Sequence, residues 1–172
     1  PALVVGPGLH SGMPLRYHPA SSLGADRLAD ALAARAAFGA PVITVDFGTA
    51  TTFNVVDASG AFVGGAIAPG LGITADALAD AGARLNRIAL LPAVETPSVG
   101  RSTEQGMRSG LLLGFAGLTR GLLARLEREL GRGGGPRPAV VATGGLVYHI
   151  APMVPRIDHV VPDLILDGMR LI

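Results

Sequence analysis

The sequence predicts an α/β fold in which three strands come first and two later strands alternate with helices, in the order βββαβαβα. Three observations carry this prediction. Residues 42–68 hold three short apolar runs separated by turn residues, which is typical of a strand meander. Residues 102–126 repeat apolar side chains at helical spacing, and residues 139–161 hold two further apolar runs.

The first regular element is a helix over residues 25–37, where leucines and alanines recur at helical spacing before residues 39–41 end it. The meander follows, with a tight turn at Gly48-Thr49 and another at Ser59-Gly60. Its three strands are predicted at residues 42–45, 52–56 and 62–68.

Two helices are predicted after the meander. The first begins at Leu71 and ends near Arg84, and the prolines in residues 86–100 indicate a loop. Ser102 and Gln105 have the spacing of a capping box, so we expect a long helix from there to about residue 130.

Five glycines also recur at helical spacing in that long helix. Each glycine destabilises a helix by about 1 kcal/mol relative to Ala. We expect close packing against the sheet to offset this cost, and the alternative is a partner helix in a dimer. The series is Gly106, Gly110, Gly114, Gly117 and Gly121.

The last part of the chain is predicted as a buried strand at residues 139–142, a short helix after Gly144-Gly145, a strand at residues 157–161 and a helix from Pro162. This order is that of the ribonuclease H-like unit of the actin-like ATPase fold, whose duplicated form holds a nucleotide between two domains. The 172 residues have room for one complete copy of this unit. We expect residues 1–38, which open on a strand end at residues 2–8, to be the tail of a first copy and residues 39–172 to be the second.

Composition excludes several classes of function. The 14 basic residues are all arginine, which excludes Walker A, protein-kinase and pyridoxal mechanisms because each needs a lysine. The absence of cysteine excludes thiolate catalysis and fits the cytoplasm. A net charge of +1, 4% aromatic residues and short apolar runs predict a soluble cytoplasmic protein that binds neither nucleic acid nor membrane.

Two motifs carry candidate chemistry. Asp46 ends an apolar strand and precedes Gly48-Thr49, where backbone amides and hydroxyls could approach phosphate closely. An ordinary hairpin with a Thr-rich strand explains this motif equally well. In Gly24-Ala25-Asp26-Arg27, Asp26 could accept a proton while Arg27 holds an anion, and the alternative is that Asp26 only caps its helix.

Other features are weaker. Thr143-Gly144-Gly145 would let a flat ring or ribose pack on the backbone, although such turns are common. The four histidines have no metal-ligand spacing and are interpreted as surface or core residues. They are His10, His18, His149 and His159.

Several motifs occur in order along the chain. They are Tyr17, Gly24-Ala25-Asp26-Arg27, residues 45–52, residues 65–70, Gly100-Arg101-Ser102-Thr103, residues 142–145 and residues 162–172. This set closely resembles the type III pantothenate kinases. Two features depart from the family: position 102 is Ser rather than the frequent Asn, and the family's opening Asp-x-Gly-Asn-Thr phosphate loop is absent from these 172 residues. We therefore expect a fragment that binds ATP weakly by itself.

The resemblance implies ATP-dependent phosphorylation of pantothenate to 4'-phosphopantothenate, the first step of coenzyme A synthesis, by a homodimer that uses ATP with Mg²⁺ and a monovalent cation, K⁺ or NH₄⁺. Asp26 would be the general base and Asp46 the cation ligand. Pantothenate would contact Tyr17, Gly24, Ala25, Asp26, Arg27 and Thr103, and ATP would contact Gly48, Thr49, Gly144 and Gly145. Two alternatives stay open: another actin-fold small-molecule kinase, and a regulator of the same family without turnover.

Overall fold

The described part of the chain contains five strands, five α-helices and two short 3-10 helices, at Ala20–Ser22 and Ala151–Met153. The computed structural model describes residues 11–82, 87–90, 96–132 and 134–172. The strands are β1 (Val42–Phe47), β2 (Ala50–Val56), β3 (Phe62–Pro69), β4 (Ala139–Thr143) and β5 (His159–Val160). The helices are α1 (Ala25–Phe38), α2 (Leu71–Ala81), α3 (Thr103–Gly131), α4 (Val147–Ile150) and α5 (Leu164–Arg170).

The strands form one mixed sheet in the order β3-β2-β1-β4-β5. Strand β2 is antiparallel to β1 and β3, because short turns join these three strands. Strands β4 and β5 are parallel to β1, and parallel pairing requires the crossover connections that α2, α3 and α4 supply. The protein therefore has an α/β fold with a five-stranded mixed sheet.

The central strand β1 separates two hydrophobic cores. Ile43 and Val45 pack in the core that contains Leu112 of α3. Val42 packs on the opposite face, in the core that contains Leu32 of α1. Because neighbouring side chains of a strand point to opposite faces, one apolar strand supports a helix layer on each side. Helices α1 and α5 cover one face, and α2, α3 and α4 cover the other.

Most predicted elements are confirmed within one to three residues, and three predictions need correction. The strand expected at residues 157–161 is only β5, since its ladder with β4 joins just two residue pairs. The last helix begins at Leu164 rather than at Pro162. The order βββαβαβα counted the two helices predicted after the meander as one, whereas α2 and α3 are separate helices, as their individual predictions had it. The predictions for residues 2–8, His10, Arg84 and Leu85 lie outside the described residues.

The expected packing of the α3 glycines against the sheet is wrong. A Cβ built at any of the five would meet no atom within 4 Å, so this glycine face of α3 points into open space. The sheet is contacted instead by the apolar side of the helix, which includes Leu112 and Phe115. None of the helices in the described residues is both long and apolar enough to cross a bilayer.

Helix α1 is held between the sheet and α5. Leu28 and Leu32 share a core with Val42 and Leu164, so the helix that opens the described chain packs on the sheet that follows it. The backbones of α1 and α5 approach closely at Gly168, where an added Cβ would overlap the carbonyl group of Ala29. The boundary at residue 38 stays a prediction.

We predict that Gly168→Ala lowers the free energy of unfolding by about 1–3 kcal/mol, because the two helices must separate to admit the methyl group. The matched control is Gly72→Ala, whose Cβ would make only an ordinary contact 3.9 Å from Leu146. Urea unfolding of both variants measures the difference. Equal stability of Gly168→Ala and the wild type would contradict the close contact between α1 and α5.

Candidate active site

The candidate site lies where β1 and β4 end side by side. Asp46 is the residue before the last in β1, and it pairs with Thr143 at the end of β4. Gly144 follows β4 with φ of 96°, and an added Cβ there would overlap the Asp46 carboxylate and the Phe47 backbone. Only glycine permits this approach, so the turn after β4 lies directly against the Asp46 side chain.

The turn between β1 and β2 adjoins the same carboxylate. It contains Gly48 and the exposed Thr49. A Cβ at Gly48 would lie 3.5 Å from the Asp46 carboxylate oxygens. The backbone of Gly70, just before α2, packs closely against this turn, since a Cβ at Gly70 would overlap the carbonyl oxygens of Gly48 and Thr49. Asp46, Gly48, Thr49 and Gly144 therefore lie together, and their expected contact with phosphate stays a prediction.

The N-terminal turn of α1 brings two more carboxylates to this edge. Asp26 is the second residue of α1 and is exposed, whereas Asp30, one turn later, is 1% exposed. Burial and then the charge of Asp26 raise the pKa of Asp46. Burial raises the pKa of Asp30 to about 8, with further contributions from Asp46 and Asp26. The three carboxyl groups are therefore close enough for the charges of Asp26 and Asp46 to disfavour ionisation of Asp30.

Asp30 was missed by the motif-based interpretation of the sequence. The sequence feature that could have identified it is its position, since Asp30 is an acidic residue inside the apolar stripe of a predicted helix. It comes four residues after Asp26 and therefore lies on the same face of that helix. Its Oδ1 atom is buried without a hydrogen-bond partner. A buried carboxyl of this kind costs less when it is neutral, so Asp30 carries a proton at pH 7.

Arg27 lies beside this acidic group but faces the interior. It is 6% exposed, and its Nε donates to Asn54 Oδ1 at 2.7 Å. Its Nη1 donates to the Tyr17 hydroxyl at 3.5 Å, and its guanidinium lies 5.6 Å from the ring centroids of Tyr17 and Phe62. The sequence-predicted pair Tyr17 and Arg27 is thus brought together. Gly24 and Ala25 precede it as the N-cap and first residue of α1.

Thr103 and Gly145 are less closely associated with the site. Thr103 is the exposed first residue of α3, and in the described residues no side-chain hydrogen bond joins it to another predicted site residue. Gly145 is exposed, with open space where a Cβ would stand. Nowhere in residues 11–82, 87–90, 96–132 and 134–172 do three or more His, Cys, Asp or Glu side chains form a metal-binding group.

The sequence matches the family model described as type III pantothenate kinase over residues 1–125. The chain belongs to the type III pantothenate kinase family. A Thermomicrobium roseum relative described as a type III pantothenate kinase is 47% identical over 170 residues, which are 98% of this chain and 62% of the relative. A Moorella thermoacetica type III pantothenate kinase is 43% identical over 171 residues, 99% of this chain and 65% of that protein. The chain thus spans less than two thirds of these relatives.

A solved structure shares the fold at low sequence identity. It is that of a Campylobacter jejuni protein assigned to the Baf family of transcriptional activators. The TM-score is 0.61 with 19% identity, over 92% of this chain and 65% of that protein. The expected resemblance to type III pantothenate kinases is confirmed by the family match, and this structure supports the fold alone.

The buried Asp30 predicts a pH dependence of stability. Its pKa is about 8 in the folded chain and near 3.8 when unfolded, so the folded state holds an extra proton between these values. The contribution of Asp30 to the free energy of unfolding is largest below pH 3.8. It falls by up to about 1.4 kcal/mol per pH unit as the pH rises from 3.8 to 8, and it is lost above pH 8. Asp30→Asn should remove this slope, which urea unfolding at several pH values in potassium-free buffer would measure.

The control for this prediction is a carboxyl group whose pKa is lowered by folding, so that its effect on stability has the opposite pH dependence. Burial raises the pKa of Asp57, but hydrogen bonds from the Ser59 side chain and from the backbones of Ala61 and Ser59 lower it overall. Asp57→Asn should therefore be less stable than the wild type at neutral pH, and the difference should shrink in acid, where the wild type loses the contribution of ionised Asp57. If Asp30→Asn keeps the slope of the wild type, Asp30 does not hold a proton in the folded protein.

Proposed function

We propose that this chain is part of an ATP-dependent pantothenate kinase that forms 4'-phosphopantothenate at the first step of coenzyme A synthesis. The observation that carries the proposal is the pairing of an exposed carboxylate, Asp26, with a buried cation, Arg27, that has no acidic partner among the described residues. Pantothenate offers a hydroxyl to the first and a carboxylate to the second.

Asp26 acts as the general base in this proposal. The pantothenate hydroxyl oxygen bonds to the γ-phosphorus of ATP, the bond from that phosphorus to the β–γ bridging oxygen breaks, and ADP leaves. Asp26 takes the hydroxyl proton, which requires a carboxylate that is reachable from solvent and ionised. Arg27 fixes the other end of the substrate, so that the hydroxyl is held near Asp26. Thr103 would add a further contact to pantothenate.

The phosphates of ATP would lie at the edge formed by Gly48, Thr49, Gly144 and Gly145. Thr49 offers a backbone amide and a hydroxyl in an exposed turn, whereas the Gly48 amide donates to the Ala50 carbonyl oxygen, and the space beside Gly145 is open for an adenosine. Because the chain has no lysine, arginines, amides and hydroxyls must supply the remaining donors. Mg²⁺ bound with ATP would neutralise charge on the transferring phosphoryl group.

Asp46 is suited to a monovalent cation such as K⁺ or NH₄⁺. Its pKa is raised by burial and by Asp26, and a bound cation would relieve that repulsion. The described residues contain no group of three or more acidic, histidine or cysteine side chains that could hold a metal ion, so backbone oxygens would complete the shell. A weakly charged site of this kind fits a monovalent ion better than a transition metal.

Two structural proposals accompany this function. The chain order and mixed sheet fit a ribonuclease H-like unit, so we infer that residues 39–172 are the second domain of an actin-like fold and residues 1–38 the tail of the first. The open glycine face of α3 fits a partner helix at close range, which supports a homodimer. A regulator without turnover would need neither Asp26 nor an unpaired Arg27.

The test is the activity of the full-length protein with pantothenate and ATP, with and without potassium. Asp26→Asn should lower kcat by at least about 10² with little change in the KM for ATP, because Asn keeps the shape but cannot take the proton. The control is Asp167→Asn, an exposed acid in the first turn of α5. If Asp26 merely caps α1, the variant would lose about 1 kcal/mol of stability and keep near-normal turnover.

A further inference from the structure

Arg27 is enclosed on three sides by groups that carry no negative charge. The ring of Phe62 and the ring of Tyr17 lie beside its guanidinium, and Asn54 accepts its Nε proton. Asn54 is fully buried in β2. A buried guanidinium without a counter-ion is costly, so the arrangement is most stable when an anion completes it.

The orientation of the Asn54 amide follows from hydrogen-bond chemistry. A guanidinium can only donate, so the amide oxygen must face Arg27. The amide nitrogen then donates to Thr44 Oγ1 at 3.0 Å. Thr44 and Asn54 are opposite each other in the β1–β2 ladder, and Thr44 is fully buried. Thr44 of the sheet therefore fixes the orientation of the Asn54 amide, and the amide oxygen in turn fixes the position of the Arg27 guanidinium.

The choice of an amide at position 54 has an electrostatic consequence. Aspartate has nearly the same shape and could accept the same proton, but it would form an internal ion pair with Arg27 and consume its charge. It would also place an unpartnered oxygen against Thr44 unless the hydroxyl turned to donate. Asn54 holds the guanidinium without neutralising it.

We propose that Asn54 is a positioning residue, which holds Arg27 through an uncharged acceptor and reserves its charge for the anionic group of the substrate. The inference rests on the proposed function, because it assigns that anionic group to pantothenate. It extends that function by assigning substrate discrimination to a residue that is fully buried in the sheet.

The experiment is Asn54→Asp in the full-length protein. Calorimetry would measure binding of pantothenate and of panthenol, its uncharged alcohol analogue. We expect the Kd and KM for pantothenate to rise about tenfold or more, because the new carboxylate competes for Arg27. Binding of panthenol and the KM for ATP should stay near the wild-type values. Thr119→Val, which removes a buried hydroxyl bond to Phe115 elsewhere, is the control with unchanged binding.

Two ligand-free readouts separate the inference from the proposed function. Asn54→Asp should shift the Arg27 Nε–H resonance and raise the melting temperature, since the variant supplies the missing counter-charge. If the wild type binds no pantothenate, the proposed function fails, and these readouts still decide whether Asn54 holds an uncompensated Arg27. Unchanged pantothenate affinity in Asn54→Asp, or an unmoved Arg27 resonance, would overturn the role of Asn54.

Discussion

The packing of α1 across the sheet is the contact on which the candidate site depends. Helix α1 lies against the sheet on one side and against α5 on the other, where Gly168 leaves room for the Ala29 carbonyl. This position places the first turn of α1 at the carboxyl end of β1. Asp26 and Asp30 are thereby held near Asp46, and Arg27 reaches Asn54 in the sheet. A shift of one helical turn would separate all of these groups.

The same packing concentrates charge in a way that opposes folding. The charges of Asp26 and Asp46 disfavour ionisation of Asp30, and the buried Arg27 guanidinium has no acidic partner within salt-bridge distance among the described residues. Such groups cost stability, and under the proposed function a cation at Asp46 and a substrate anion at Arg27 would offset that cost. The groups that destabilise the ligand-free fold are therefore the same groups that are proposed to bind the ligands.

Local patterns in the sequence predicted the elements but not their contacts. Helix α1 was predicted because its apolar residues recur at helical spacing, and strand β1 because it is a short apolar run followed by turn residues. Asp30 was missed because an acid within an apolar stripe has no motif, and only tertiary packing shows that it is buried. The glycines of α3, such as Gly114, were assigned to the wrong surface, because spacing cannot tell which face meets the sheet. Asn54 lies within the predicted strand at residues 52–56, but its contact with Arg27 joins residues distant in sequence and was not predicted.

The convergence of α1 on the end of β1 can be measured directly by ¹³C titration of the aspartate carboxyl groups. The account predicts that the pKa of Asp46 lies above its ordinary value of 3.8 in the wild type, because burial and the charge of Asp26 both disfavour ionisation. In Asp26→Asn the pKa of Asp46 should fall toward that value while staying raised by burial. An Asp46 pKa that is the same in both proteins would show that Asp26 and Asp46 are far apart and would contradict the site.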